Sequence, residues 1–270
     1  MDRALAFIGG GNMASAVIGG LVAGGLEPAA ILVVEPSQAQ RDRLRAEHGV
    51  NTLAGAGPAL ATVGMVVWAV KPQAFKEAAA ACRPHVAGAL HLSLMAGIRS
   101  EAIAAAAGTE RVVRAMPNTP ALIGQGIAGL YARAAAGAND RAWVERVLAP
   151  TGRTLWVAHE ADLDAVTALS GSGPAYVFYF VEAMMEAAAG MGLTPEQGKQ
   201  LALATFTGAA ELARRSGDPP HVLRERVTSK GGTTFAALSV LEAGDVKRVF
   251  VDALQAARQR AQELGDEFGR

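Results

Sequence analysis

Two glycine-rich stretches carry residue types that suit the binding of negatively charged ligands. The first, residues 9–14, is Gly-Gly-Gly-Asn-Met-Ala, and we call it the glycine-rich turn. It fits the G-x-G-x-x-G/A pattern, in which the first glycine allows a tight turn, the second lets a pyrophosphate approach the backbone, and the small last residue lets a helix pack closely on a strand. We therefore predict that Gly9, Gly11, Asn12 and Met13 bind a dinucleotide.

The second stretch, residues 229–234, is Ser-Lys-Gly-Gly-Thr-Thr, and we call it the glycine–threonine loop. An apolar, helix-like run follows it. Backbone amides at a helix N-terminus bind small anions, and glycines let a ligand come close. Threonine is also a common helix N-cap, so a simple capped turn is the alternative. The residues alone leave both interpretations open.

Further candidates follow the second apolar run, ILVVE. Glu35 ends this run at the distance from the glycine-rich turn where an acidic residue binds a ribose 2′-hydroxyl. Ser37, together with Arg41 and Arg43, could instead serve a 2′-phosphate, although a solvated helix face explains the two arginines better. The choice between NADH and NADPH therefore stays open, and we predict that Glu35 limits the use of NADPH.

Other candidates end later runs. Ala69, Val70, Lys71 and Pro72 end the third run, and Ala96 and Gly97 end the fourth. Ligands of open α/β sheets bind beyond the carboxyl ends of the strands, so we predict that both groups lie near the nicotinamide ribose, with Lys71 as a cofactor contact rather than a general acid.

Asn118 lies between two prolines after the fifth run. The prolines make this loop rigid. Asn118 either faces the pocket or is a turn residue bonded to nearby backbone.

The elements that must position these residues divide the chain in two. Apolar runs at 4–8, 31–35, 65–70, 89–96 and 111–116 alternate with helical patterns, and 127–132 and 154–158 are further candidate strands. Continuous apolar strands that alternate with helices predict a parallel sheet covered on both faces. From residue 162 onwards the patterns are helical. The predicted fold is α/β: a Rossmann-type, doubly wound, mostly parallel sheet over residues 1–160, then an all-helical dimerisation and substrate domain over 161–270.

The segment that starts at Pro174, PAYVFYFVEAMMEAAAG, is apolar on almost every side. A helix of this kind is typically buried all round. A helical domain of roughly a hundred residues encloses such a helix with difficulty. We therefore expect a second subunit to cover it.

Composition excludes several classes of function. Lys+Arg and Asp+Glu both number 25, so no net basic field favours nucleic acid. The single cysteine, Cys82, permits no intramolecular disulfide and suggests no metal site, and we interpret it as a buried apolar residue. The first residues lack a signal-peptide pattern, and no apolar run reaches the ~20 residues of a membrane span. We expect a cytoplasmic protein without a membrane partner.

Taken together, the motifs FIGGGNMA, AVKP, VVRAMPNTPAL, DAVTALSGSGPAYVF and SKGGTT resemble pyrroline-5-carboxylate reductase over nearly the whole chain. The first two are shared with many nicotinamide enzymes, whereas the last three are specific. The resemblance implies reduction of pyrroline-5-carboxylate to proline with NADPH or NADH, the last step of proline synthesis. It also implies a homodimer with interleaved C-terminal helices, and such dimers often assemble into a decamer of five dimers.

The resemblance also implies site residues. Thr234 would hydrogen-bond the ring nitrogen of the substrate as the catalytic residue. The loop around Ser229 and Gly231 would bind the substrate carboxylate through the amides of Gly232, Thr233 and Thr234. Glu160 matches a position near the substrate nitrogen in some relatives, but a solvated loop charge is an equal alternative. Two positions depart from the family pattern: Lys230 replaces a proline, and Arg226 replaces an uncharged residue.

Two rival interpretations remain. A β-hydroxyacid dehydrogenase, or another imine reductase, would share the architecture, and the former would use a helical lysine such as Lys199 as acid and base. A non-enzymatic sensor of the nucleotide's redox state would need no substrate hydroxyl, so the threonines of the glycine–threonine loop argue against it. A turnover assay with pyrroline-5-carboxylate distinguishes these alternatives.

Overall fold

The structure, a computed structural model, describes residues 4–268 and divides into two compact units. The first unit runs to residue 172 and includes the residues from 257 onwards, while the second comprises 173–256. The C-terminal helix therefore belongs to both units. The predicted domain boundary at residue 160 stays a prediction.

One sheet forms the centre of the first unit, with eight strands among the described residues. The strands are β1 (Leu5–Ile8), β2 (Ile31–Val34), β3 (Asn51–Leu53), β4 (Met65–Trp68), β5 (Leu90–Ser93), β6 (Val112–Met116), β7 (Gly126–Ala132) and β8 (Gly152–Trp156). Their order is β3-β2-β1-β4-β5-β6-β7-β8. Neighbouring strands are parallel except for the antiparallel pair β6 and β7. The predicted doubly wound, mostly parallel sheet is confirmed.

Helices cover both faces of this sheet. They are α1 (Asn12–Ala23), α2 (Gln38–His48), α3 (Phe75–Cys82), α4 (Ser100–Ala107), α5 (Ala138–Leu148) and α6 (Asp162–Val166). Side chains of α1, α2 and α5 belong to the core on one face, and those of α3 and α4 to the core on the other. Cys82 lies in the second core, and burial raises the pKa of its thiol to about 11. It is a buried apolar residue, as predicted.

Strands β1 and β4 lie side by side at the centre of the sheet. Every residue of both strands is buried, because helices cover each face, and this explains their unbroken apolar sequences LAFI and MVVW. The strand order reverses between them: β2 follows β1 on one side, and β4 lies on the other. Such a reversal opens a crevice at the carboxyl ends of the two strands, where α/β proteins bind their ligands.

Two elements of the first unit, a short strand and a helix, are not predicted from the sequence. Strand β3 has three residues, Asn-Thr-Leu, at the sheet edge, too short and polar for an apolar run. Helix α5 buries Trp143, Val144, Val147 and Leu148. These residues have i, i+4 spacing, so the pattern is detectable, but charged residues interrupt it.

The second unit is helical, as predicted. Its helices are α7 (Gly173–Gly190), α8 (Pro195–Arg215), α9 (Pro220–Arg226), α10 (Thr233–Ala243) and the first half of α11 (Val246–Phe268). Helix α8 begins with a capping box in which Thr194 and Gln197 bond each other's backbone, and Pro195 occupies the first turn. No helix of residues 4–268 combines the length and apolarity needed to cross a membrane.

Helix α7 packs against α8 and α11 along part of its surface. The rings of Tyr176 and Phe180 meet Phe250 with centroids 5.9 and 5.7 Å apart. On another side of the helix, Phe178 and Tyr179 are 58% and 68% exposed. The chain alone therefore leaves much of this apolar helix uncovered.

Candidate functional site

The predicted cofactor residues gather at one edge of the sheet. Strands β1, β2, β4, β5 and β6 run parallel, so the residues that follow them lie along their common carboxyl edge. The predicted residues at this edge are Gly9, Gly11, Asn12, Met13, Glu35, Ser37, Ala69, Val70, Lys71, Pro72, Ala96, Gly97 and Asn118. Their roles in binding stay predictions, but the fold brings them together.

The glycine-rich turn has the geometry that a pyrophosphate requires. Gly9 has φ +95°, and a Cβ atom there would lie 2.7 Å from the carbonyl oxygen of Ala69, so no larger residue fits. At Gly11, no described atom beyond its two chain neighbours lies within 4 Å of the Cβ position, and the residue is exposed at the start of α1. The amides of Asn12 and Met13 lack intrahelical acceptors at this position. The turn therefore fits a dinucleotide.

Glu35 lies at the predicted position but is already hydrogen-bonded. Its Oε2 accepts from the N–H of Gly10 at 2.9 Å, and its Oε1 accepts from the N–H of Ser37 at 2.8 Å. Carboxylate oxygens can accept further hydrogen bonds, so a ribose hydroxyl is still a suitable ligand. The carboxylate also fixes the backbone around it.

The two neighbouring arginines have other partners. Arg41 donates to the carbonyl oxygens of Glu35 and Pro36 at 2.7 and 2.6 Å, and Arg43 pairs with Glu47 at 2.9 Å. The Ser37 hydroxyl accepts from the N–H of Gln40 at 3.4 Å and caps α2. The interpretation of Arg43 as part of a solvated helix face is therefore favoured, while Arg41 braces the β2–α2 connection.

The residues after β4 and β5, which we predict to lie near the nicotinamide ribose, belong to the same edge. The Ala69 N–H donates to the carbonyl oxygen of Ile8 at 2.8 Å, which ties this connection to β1. Lys71 is exposed and precedes a short 3-10 turn that begins at Pro72. Gly97 has φ +75°, the left-handed region that favours glycine.

Asn118 is buried after β6. Its Oδ1 accepts from the N–H of Ile127 at 3.0 Å, which ties the proline-bounded loop to β7. This contact favours a structural role, although the bonded backbone lies nine residues away rather than within the same turn.

Glu160 follows β8, which is parallel to β7 and antiparallel to β6. The chain therefore leaves β8 at the sheet edge opposite the predicted cofactor residues. Glu160 Oε1 accepts from the Ser100 N–H at 2.6 Å and from Arg114 at 2.7 Å, and its Oε2 accepts from the Ser100 hydroxyl at 2.5 Å. The alternative of a solvated loop charge is wrong, because this carboxylate is largely buried and fully engaged.

The electrostatics of this cluster keep Glu160 ionised. Burial alone would raise the pKa of its carboxyl group, but the hydrogen bonds from Ser100 and the ion pair with Arg114 outweigh that effect and lower it. A second pair, Arg99 with Asp164 at 3.1 Å, lies beside it. Arg114 is not among the predicted site residues, yet a charged residue inside the apolar run RVVRAM is itself a signal for a buried partner.

The glycine–threonine loop has a different internal geometry from the predicted one. Gly231 has φ +74°, and the N–H of Gly232 donates to the Ser229 carbonyl oxygen at 3.0 Å. The prediction that the Gly232 N–H binds the substrate is therefore corrected, because the turn already uses that group. Helix geometry leaves the amides of Thr233, Thr234 and Phe235 without intrahelical acceptors, so Phe235 joins the two predicted threonines as a candidate donor.

The loop is not a threonine-capped turn. Gly232 occupies the N-cap of α10, and no side chain of the described residues makes a capping hydrogen bond there. Thr234 is half-buried and Thr233 is exposed, both in the first turn. The capping interpretation of Thr234 is wrong, and a hydroxyl next to free helix amides is what a carboxylate-bearing ligand would meet.

The two departures from the family pattern lie on the surface. Arg226 pairs with Asp218 at 2.5 Å, and Lys230 is exposed.

The alternative of a β-hydroxyacid dehydrogenase would use a helical lysine as acid and base. Lys199 does not stand out for that role, because it is exposed and because Lys247 also lies on a long helix. Among residues 4–268, no group of His, Cys, Asp or Glu could hold a metal ion.

The sheet, its reversal point and the glycine-rich turn define a dinucleotide-binding protein of the Rossmann class with a helical C-terminal region. Residues 4–97 match the family "NADP oxidoreductase coenzyme F420-dependent", and residues 160–264 match "Pyrroline-5-carboxylate reductase dimerisation". The pyrroline-5-carboxylate reductase of Pseudomonas aeruginosa is 42% identical over 268 residues, which cover 98% of each chain. The chain belongs to the pyrroline-5-carboxylate reductase family.

Solved structures agree with this placement. A pyrroline-5-carboxylate reductase from Coxiella burnetii is 37% identical and has a TM-score of 0.92, with 98% of this chain and 99% of that chain covered. The Plasmodium falciparum pyrroline carboxylate reductase, solved with NADP bound, is 27% identical with a TM-score of 0.87, and 98% of each chain is covered.

Proposed function

We propose that this protein reduces L-1-pyrroline-5-carboxylate to L-proline with NAD(P)H, the last step of proline synthesis. Membership of the family supports the reaction, and so does the dinucleotide-binding geometry of the carboxyl edge. The observation that carries the proposal is the glycine–threonine loop. It offers uncapped helix amides and an adjacent hydroxyl to a small ligand with a carboxylate and a ring nitrogen.

The cofactor residues have separable tasks. The glycine-rich turn and the first amides of α1 bind the pyrophosphate. Glu35 and Ser37 face the adenosine ribose, and Lys71 and Gly97 lie on the nicotinamide side. The bound dinucleotide supplies the hydride that reduces the imine carbon.

The glycine–threonine loop binds and polarises the substrate. The amides of Thr233, Thr234 and Phe235 hold the carboxylate, and the exposed Lys230 adds positive charge nearby. The Thr234 hydroxyl donates a hydrogen bond to the ring nitrogen, which takes up one proton from solvent and becomes an amine as the carbon receives the hydride. Positioning and electrostatic stabilisation of this kind lower a barrier by several kcal/mol. Because Glu160 already bonds Ser100 and Arg114, we assign it the structural role of holding α4 and β6 together rather than a role in substrate binding.

The assembly is part of the proposal. The dimerisation family matched by residues 160–264 and the exposed apolar side of α7 support a homodimer. A decamer of five dimers and the predicted cytoplasmic location stay predictions.

The decisive test is turnover. Purified protein is incubated with pyrroline-5-carboxylate and either NADPH or NADH, and both nicotinamide oxidation and proline formation are measured. We expect stoichiometric proline formation with at least one cofactor. Oxidation of a β-hydroxyacid without imine reduction would favour the dehydrogenase, and dinucleotide binding without turnover of either substrate would favour the sensor.

A further inference from the structure

Gly10, the central glycine of the glycine-rich turn, is held at both of its backbone polar groups by side chains of the β2–α2 segment. Its N–H donates to Glu35 Oε2 at 2.9 Å, and its carbonyl oxygen accepts from Gln40 Nε2 at 2.5 Å. A Cβ atom on Gly10 would lie 2.6 Å from Leu44 Cδ1, so α2 also packs directly on the turn. The dinucleotide pattern itself gives Gln40 no role.

Both holding side chains are themselves fixed. The second oxygen of Glu35 bonds the Ser37 N–H, and Arg41 bonds the carbonyl oxygen of Glu35. Gln40 lies in the first turn of α2, where its own N–H donates to Ser37 Oγ. The two side chains that bond Gly10 are therefore held in place by other contacts of the β2–α2 segment.

Three consecutive glycines give this turn unusual backbone freedom. A dinucleotide that binds a mobile turn must order it, and that ordering reduces the affinity. A turn that is already fixed avoids this loss. The contacts to Gly10 are therefore expected to affect the binding of the whole dinucleotide, whatever its 2′ substituent.

We propose that Gln40 is a positioning residue for the cofactor. With Glu35 it fixes Gly10, so that Gly11 and the first amides of α1 face the pyrophosphate before the cofactor arrives. The proposal rests on the proposed function, because it concerns the same dinucleotide. The two side chains differ in charge: Glu35 also repels a 2′-phosphate, whereas neutral Gln40 does not discriminate between NADH and NADPH.

The first test uses Gln40→Met, which keeps the length of the side chain but removes its donor. The Kd values of NADH and NADPH are measured without substrate from the fluorescence of the reduced nicotinamide. We expect both Kd values to rise about three- to tenfold, as the loss of one hydrogen bond implies. The effect should appear in the KM for cofactor more than in kcat.

A matched control is Gln38→Met. Gln38 is the same residue type in the same helical turn, but its side chain bonds Asp42 and Arg41 on its own helix rather than Gly10. Its Kd values should equal those of the wild type. Glu35→Gln is a second comparison: it keeps an acceptor for the Gly10 N–H but removes the charge, so the ratio of the two Kd values should shift towards NADPH.

Amide hydrogen exchange of residues 8–13 in the cofactor-free protein provides a readout that needs no ligand. Exchange should be faster in Gln40→Met than in the wild type and in Gln38→Met. Unchanged exchange, unchanged Kd values, or a rise for NADPH alone would each overturn the role of Gln40. If the wild type binds neither dinucleotide, the proposed function fails, while the exchange experiment still decides whether Gln40 fixes the turn.

Discussion

At the scale of single residues, the hydroxyl of Thr234 could either cap a helix or contact the substrate, and the geometry favours the substrate contact. It lies in the first turn of α10 without a capping bond, so a purely structural explanation loses its main support. If the hydroxyl bonds the imine nitrogen as charge shifts there, its removal harms the transition state. Thr234→Ala should then lower kcat/KM by about ten- to a thousandfold, roughly 1.4 to 4 kcal/mol.

The matched control for this prediction is Thr233→Ala. Its proposed contribution is a backbone N–H, which alanine keeps, so its kcat/KM should stay close to that of the wild type. The Kd for NAD(P)H, measured separately, should hardly change in either variant because the glycine-rich turn is untouched. Near-wild-type turnover per folded molecule in Thr234→Ala would remove the catalytic assignment.

The family resemblance suggests that Glu160 lies near the substrate. In the structure, its carboxylate instead bonds Ser100 and Arg114 within the first unit. Glu160→Gln would leave the buried Arg114 guanidinium without a charged partner, and breaking such a pair costs about 3 kcal/mol. We expect a clearly lower urea midpoint, with the KM for pyrroline-5-carboxylate within about twofold of the wild type for the folded fraction. A raised KM at unchanged stability would instead restore Glu160 to the substrate site.

At the scale of secondary-structure elements, the sequence is most informative where burial is complete. Strands β1 and β4 are buried on both faces, so their apolar runs are unmistakable, and the helices around them follow from their periodicity. Strand β3 contributes three residues to an edge, and no local pattern specifies it. The direction of β7 cannot be predicted from the sequence either, because an apolar run does not indicate whether its strand pairs in parallel or antiparallel.

In the candidate site too, features set by local sequence are predictable, whereas contacts between distant residues are not. Gly9 was predictable because its φ of +95° favours glycine, and Gly11 because it belongs to the same local motif. The contacts of Glu160 with Ser100 and of Gln40 with Gly10 join residues 60 and 30 positions apart, and nothing local encodes them. The partner of the Gly232 N–H, by contrast, is the carbonyl oxygen of Ser229 only three residues away, in a local turn that glycine-rich sequence alone does not specify.

Strand β5 carries a buried histidine that makes the fold sensitive to acid. His91 Nδ1 accepts from Trp68 Nε1 at 3.0 Å, and Nε2 lies 3.2 Å from the Val86 carbonyl oxygen. Burial lowers the pKa of His91 from 6.5 to about 4. The unfolded chain therefore binds a proton before the folded one does, so stability is complete above pH 6.5 and falls as the pH drops towards 4.

The prediction is a loss on the order of 2 kcal/mol of unfolding free energy between pH 7.5 and about pH 5 that depends on His91. Urea unfolding at fixed protein concentration measures it. His91→Gln cannot titrate, yet it can still accept from Trp68 and donate to Val86, so its stability should depend less steeply on pH. Equal pH dependence in both proteins would show that other groups cause the acid sensitivity.

At the scale of the whole molecule, the apolar surface of the second unit is too large for a chain that stays alone in water. Exposed apolar side chains on its helices include Val177, Phe178, Tyr179, Leu201, Leu212, Phe235, Val240, Leu241, Val249 and Val251. In α10, none of the described side chains is buried. So many exposed apolar side chains on one set of helices favour an interface, and the match to a dimerisation family indicates a second copy as its occupant.

We therefore predict an obligate oligomer built from dimers. Sedimentation velocity at micromolar concentration should show a species of at least twice the chain mass of 27.7 kDa. Phe178→Glu places a carboxylate on the exposed side of α7, and burying an unpaired charge costs several kcal/mol, so the dimer should dissociate at least a hundredfold more readily. Leu155→Glu is the matched control, because Leu155 is similarly exposed at 54% but lies in β8, outside the matched dimerisation region. A wild-type protein that sediments as a stable, folded monomer would refute the prediction, since its apolar helices would then tolerate water without a partner.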